Sequence, residues 1–135
     1  MGMDEPALEG LAKGVREFND GAFFEAHDTL EDLWMDVRGE NRLFLQGLIQ
    51  VSIGCYHLTC KNFPGADHLL TRGLEKLETY PDNQCGVNVG QFLEEVRTTL
   101  RAVRQTREGD QPVSFWTFPR IQNNQGSQPS VDSGS

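Results

Sequence analysis

Apolar residues recur at three- and four-residue intervals along most of the first 107 positions, the period of helices buried on one face. Leu8, Leu11, Val15 and Phe18 form one such stripe, opened by Asp4 and Pro6 and broken at Asn19-Asp20-Gly21. The pattern predicts a first helix from about Asp4 to Phe18. A second, Phe23 to Val37, carries Phe23, Leu30, Leu33, Trp34 and Val37, and the short turn Arg38-Gly39-Glu40 sets it antiparallel to the next. The third, Asn41 to Cys60, has no Asp, Glu, Lys or Arg between Leu43 and Cys60. It therefore reads as the central buried helix. Gly47 and Gly54 lie seven apart on one face of it, which predicts close approach of a neighbour, because each glycine otherwise costs about 1 kcal/mol relative to Ala.

After the turn Lys61 to Pro64, Leu69, Leu70, Gly73, Leu74 and Leu77 predict a fourth helix from about Pro64 or Gly65 to Thr79. Tyr80 to Gly86 reads as a loop. Phe92, Val96, Leu100 and Val103 predict a fifth helix, Asn88 to Arg107. No segment reads as a strand. The fold class expected is all-α, a compact antiparallel bundle of about five helices. It divides into a bundle domain over residues 1–110 and a tail over 111–135. In the tail, residues 112–121 are aromatic and bounded by proline, and are expected to dock and cover Phe115, Trp116 and Phe118. Residues 122–135 are almost wholly Gln, Asn, Ser, Gly and Pro and are expected to be disordered.

Charge narrows the function classes. The chain of 135 residues carries a net charge of −8. Eleven acids and three bases among residues 1–40 account for all of it. Such a surface repels phosphate backbones and anionic lipids, so neither a nucleic acid nor a membrane is an expected partner. It suits a cation or a basic protein partner, and leaves a homo-oligomer open. Residues 43–60 are long enough to raise a membrane span, but Gln46, Gln50 and His57 interrupt them. Three cysteines, Cys55, Cys60 and Cys85, form no C-x-x-C pair, and the start has no secretory pattern. The expectation is buried free thiols in the cytoplasm.

One polar constellation stands out. His27, Glu31 and Trp34 share a face of the second helix within about 60°. Arg42, Gln46, Gln50 and His57 span about 80° of the third. In a helix so apolar, those amides and His57 would need buried partners, and the facing His27 and Glu31 supply them. Two histidines and a carboxylate form a catalytic zinc ligand set with a position left for water. Bundle metal sites are built from such side chains on facing helices. The bland alternative is a structural network in which Arg42 pairs with Glu31 and the Gln amides bridge to the histidines. Glu25, Asp28 and Asp32 lie beside the constellation as outer ligands or solvated acids. His68, Arg72 and Glu75 read as an exposed ion-pair row.

The same residues carry a family resemblance. FNDGAFFEAHDTLEDLW (Phe18 to Trp34), RLFLQGLIQVSIGCYH (Arg42 to His57) and NFPGADHLLTRGL (Asn62 to Leu74) resemble, in order and spacing, the signature of bacterial domain-of-unknown-function family 309. Asp28 stands where the family usually has Glu. The resemblance covers about residues 8–78 and implies a small helical fold. The family's label, a predicted metal-dependent hydrolase, points at His27, Glu31 and His57 as ligands of a divalent metal, zinc or manganese. In that reading Arg42 orients an anionic substrate group and Gln46 or Gln50 donates hydrogen bonds. The rival reading is a non-catalytic interaction protein, and an open pocket at the polar face is what separates the two.

Overall fold

In a computed structural model of the chain, residues 3–109 and 117–123 are described. The five expected helices form: α1 (Glu5–Asn19), α2 (Phe23–Asp36), α3 (Asn41–Thr59), α4 (Phe63–Leu77) and α5 (Val89–Glu108). Their starts follow from local chemistry. The side chains of Asp4, Asn62 and Asn88 accept hydrogen bonds from the backbone N–H groups of Ala7, Gly65 and Gln91, satisfying donors that the first turn leaves free. Gly21 and Gly39 close the turns after α1 and α2 with φ of +83°, a left-handed geometry that costs glycine little.

The helices pack mainly on their sequence neighbours, α3 against α4 most extensively. Phe18 joins three of them, meeting Phe23 edge-on at 5.1 Å and Phe92 at 5.6 Å between ring centroids. Around it Leu30, Phe44, Leu45, Leu48, Val51, Leu70, Leu77 and Val96 are buried. The expected close approach is present. A Cβ built on Gly47 would lie 2.8 Å from Leu77, and one on Gly54 2.9 Å from Leu70. Across α4 and α5, Asp67 accepts from Arg107 Nη1 at 2.9 Å and Arg104 Nε at 3.2 Å. Burial pushes the Asp67 carboxyl's pKa up, but these bonds from Arg107 and Arg104 outweigh it and hold it below its ordinary value.

Three expectations need correction. First, the loop after α4 contains a small antiparallel hairpin, β1 (Asn83–Gln84) and β2 (Val87–Asn88). Its two-residue turn, Cys85-Gly86, has φ of +53° and +81°, the signs that suit the twist of paired strands. Two residues per strand are too few for the period-two pattern to register.

Second, α3 is buried on one side only. Phe44, Leu45, Leu48, Val51, Cys55 and Leu58 face the core, while Leu43 and Tyr56 are exposed and Gln46, Ile49, Gln50, Ile53 and His57 are half-buried. Hence Gln46 and His57 need no buried partners, whereas Gln50 Oε1 is buried and has none. Third, only one thiol is buried: all three cysteines are free, but Cys60 is exposed and Cys85 half-buried. Burial pushes the Cys55 thiol far above its ordinary range.

The segment after α5 docks where it is described. Asn19 grips Ile121 with both ends of its amide: Nδ2 donates to the Ile121 carbonyl at 2.9 Å, and the Ile121 N–H donates to Oδ1 at 2.8 Å. Ile121 is buried and Phe118 packs on Phe23 at 5.1 Å. The Thr99 hydroxyl donates to the Thr117 carbonyl at 2.7 Å. Gln122 and Asn123, expected to be disordered, pair with the hairpin, where the Asn88 N–H donates to the Gln122 carbonyl at 2.8 Å. Phe115, Trp116 and residues 124–135 lie outside the described residues. Among those described, no helix is long and apolar enough to cross a membrane.

Candidate metal centre

Among the described residues the second helix supplies a group of three ligand-type side chains. His27, Asp28 and Glu31 each offer a donor atom, and these atoms lie within 4.8 Å of one another. Helical geometry explains the grouping: from His27, residue i+4 is displaced by about 40° and residue i+1 by about 100°, so all three occupy one arc. His27 Nε2 is 3.7 Å from Glu31 Oε1, and Nδ1 is 3.3 Å from Asp28 Oδ1. The second pair is close but misaligned, and the buried Nδ1 has no hydrogen-bond partner. His27 is mostly covered, and Asp28 and Glu31 are exposed. Phe24 supplies part of that cover, its ring centroid 5.7 Å from the imidazole, and Tyr56 backs Phe24 at 5.4 Å.

The gathered set differs from the expected one at a single member. His27 and Glu31 come together as the spacing required, Asp28 joins them, and His57 does not belong to the group. On α3 the side chains of Tyr56 and His57 point about 100° apart. Tyr56 takes the side facing α2 and meets Phe24; His57 takes the side facing α4, where its Nδ1 is 3.3 Å from the Asn62 amide nitrogen. A Cβ on Gly65 would lie 3.0 Å from the His57 ring. The neighbouring acid was legible as a ligand type. What sequence spacing missed was which flank of α3 carries His57.

Arg42 is held by backbone rather than by Glu31. Its guanidinium stacks 3.8 Å above the Trp34 ring, and Nη1 donates to the carbonyls of Trp34 at 2.8 Å and Val37 at 3.1 Å. These are carbonyls at the end of α2, so Arg42 closes that helix and fixes the turn into α3. Gln46 and Gln50 sit half-buried on the outer side of α3, and Gln50 Oε1 is buried without a hydrogen-bond partner. Neither amide bridges to a histidine, so the network expected as the bland alternative does not form among the described residues. His68, Arg72 and Glu75 form no ion pair there either.

Two clefts lie elsewhere. One of about 1090 Å³ runs between α1, the hairpin and the C-terminal strap, walled by Leu8, Leu11, Val15, Val87 and Ile121 with Arg16 and Arg120 at its rim. The other, about 430 Å³, lies where the start of α1 meets the end of α2. None of the six sequence-derived site residues lines either one.

Comparison with known proteins finds a family match over part of the chain. Residues 11–69 match the family model described as a domain of unknown function, DUF309. That span takes in His27, Asp28, Glu31, Arg42, Gln46, Gln50 and His57. A protein of Aquifex aeolicus (strain VF5), described as uncharacterized, is 29% identical over 105 residues, which are 77% of this chain and 30% of that protein. The chain thus spans less than a third of that relative's length.

Proposed function

We propose that this chain is a divalent-cation-binding helical protein whose ion is held on α2 by His27, Asp28 and Glu31. The observation that carries the reading is the orphaned His27 Nδ1: a buried nitrogen with no hydrogen-bond partner, beside two carboxylates whose donor atoms are within 4.8 Å. A buried polar atom is rarely left unpaired, and a cation would satisfy it. One imidazole with two carboxylates is a borderline-to-hard set that suits zinc or manganese, with water completing the shell.

The finer reading is a metal-dependent hydrolase. A divalent ion held there would supply Lewis acidity and a hydroxide nucleophile near neutral pH. In that reading Arg42 would orient an anionic substrate group, while Gln46 and Gln50, about 80° and 120° round α3 from the α2-facing Tyr56, take no part. One observation favours the non-catalytic reading instead: the triad lies on an open surface away from both clefts, whereas substrates usually bind in concave sites.

The test is a thermal melt of chelator-treated protein with zinc, manganese or magnesium added back. At 100 times its dissociation constant an ion stabilises by about 2.7 kcal/mol. The rise in Tm should vanish in His27→Ala and in Glu31→Gln. Identical wild-type melts with and without every ion would refute the reading.

A further inference from the structure

Among the described residues five large hydrophobic side chains stand exposed, and four of them share one face. Phe24 (47%), Met35 (60%), Leu43 (41%) and Tyr56 (37%) lie on the outer side of α2 and α3. Between them α3 presents half-buried Ile49 and Ile53. An exposed apolar patch gathered on one face has the character of an interface.

The flanks of this face carry opposite charges. On α2 its edge is acidic, with Asp28 and Glu31 beside Phe24 and Met35. On α4, Gly73 meets α3. Leu69, Lys76 and Arg72 lie about 40–100° to one side of Gly73, and Asp67 and Thr71, which bind α5, lie to the other. So Arg72 and Lys76 border the exposed side of α3. Neither makes an ion pair within the described residues.

We propose that this face is the isologous interface of a homodimer, with a second copy of the chain packed through α3 about a two-fold axis running along that helix. The axis follows from the charges. A two-fold axis along α3 sets the acidic edge of one copy against the basic edge of the other, twice over. A two-fold axis across α3 sets acid against acid and base against base, which like-charge repulsion disfavours. The extent also fits. A 19-residue helix is about 28 Å long and neighbouring axes lie 8–10 Å apart, so three helices present on the order of 800 Å². That is about what a standard interface buries on each partner.

Sedimentation in excess chelator tests this with Asp28 and Glu31 free of any ion, because a divalent ion held there would cancel the charge of the α2 edge. Wild type should sediment as twice 15.2 kDa. Ile53→Glu and Leu43→Glu should each weaken the dimer at least ~100-fold by burying a charge, while helical circular dichroism stays unchanged. Leu43 is exposed, so that variant folds whatever Ile53 does. Reversing the α4 edge (Arg72→Glu with Lys76→Glu) should weaken self-association, as should reversing the α2 edge (Asp28→Lys with Glu31→Lys). Mixing the two reversed chains should restore a dimer, because each acidic edge again meets a basic one. Three results overturn the proposal: a wild type monomeric at every concentration, a dimer that survives both Glu variants, or reversed chains that fail to pair when mixed.

Discussion

Gly73→Ala is expected to destabilise the protein although it replaces the poorest non-proline helix former with the best. In isolation the exchange favours a helix interior by about 1 kcal/mol. Here the new Cβ would stand 2.6 Å from Val51 Cγ2, 2.9 Å from the Gly47 carbonyl oxygen and 3.2 Å from the Val51 backbone nitrogen. Two of those three atoms are backbone, so no rotamer change clears them. Ordinary contact begins near 3.4 Å, so α3 and α4 must part by several tenths of an ångström along the longest interface of the fold. Overpacking of this kind costs about 1–3 kcal/mol, and more where backbone must move. The net expectation is a loss of about 1–2 kcal/mol, a Tm lower by roughly 3–10 °C for a chain this size. Gly10→Ala is the internal control. Its Cβ would sit 3.6 Å from Leu33 Cδ1, an ordinary contact, so the propensity gain should survive as about 0.5–1 kcal/mol of added stability. Urea and thermal melts of both variants decide the matter. If Gly73→Ala proves as stable as Gly10→Ala, the close approach of α3 and α4 is wrong.

In the metal titration, His57→Ala should keep the metal-induced rise in Tm that His27→Ala loses; loss in both would return His57 to the ligand set. Asp67→Asn should cost ~1–2 kcal/mol at pH 7 by removing charged hydrogen bonds from Arg104 and Arg107. The folded carboxyl titrates below its ordinary value, so its contribution is present above about pH 4 and fades as pH falls through the lowered value. The melting curves of wild type and variant should therefore converge in acid, and a gap that widened there would contradict the assignment. Asn19→Ala should free the strap at Ile121, costing ~1–3 kcal/mol for two lost backbone partners, with faster amide exchange at Ile121 as the local signature.

Periodicity alone placed five helices within a few residues of their observed ends, because each has an apolar stripe and several have a capping residue or a left-handed glycine at a boundary. It also placed His27 with Glu31, since i to i+4 on a helix is a fixed displacement that no packing alters. The glycines at 47 and 54 told of a close neighbour for the same reason: absent side chains are visible in a sequence. What the chain could not state was which way each helix turned its second-best face. An apolar run such as 43–60 looks buried all round, yet only one side of α3 finds partners in a chain this small. The other side, with Ile53, Tyr56 and Gln50, stays at the surface. That rotation, fixed by Leu70 and Leu77 meeting Gly54 and Gly47, carried His57 toward Asn62 and away from His27. The grip of Asn19 on Ile121 was equally illegible, because it joins residues about a hundred positions apart through groups that have no period. Local periodicity is a property of the backbone, and sequence reads it directly. Which faces meet is decided by the competition of all faces for the same core.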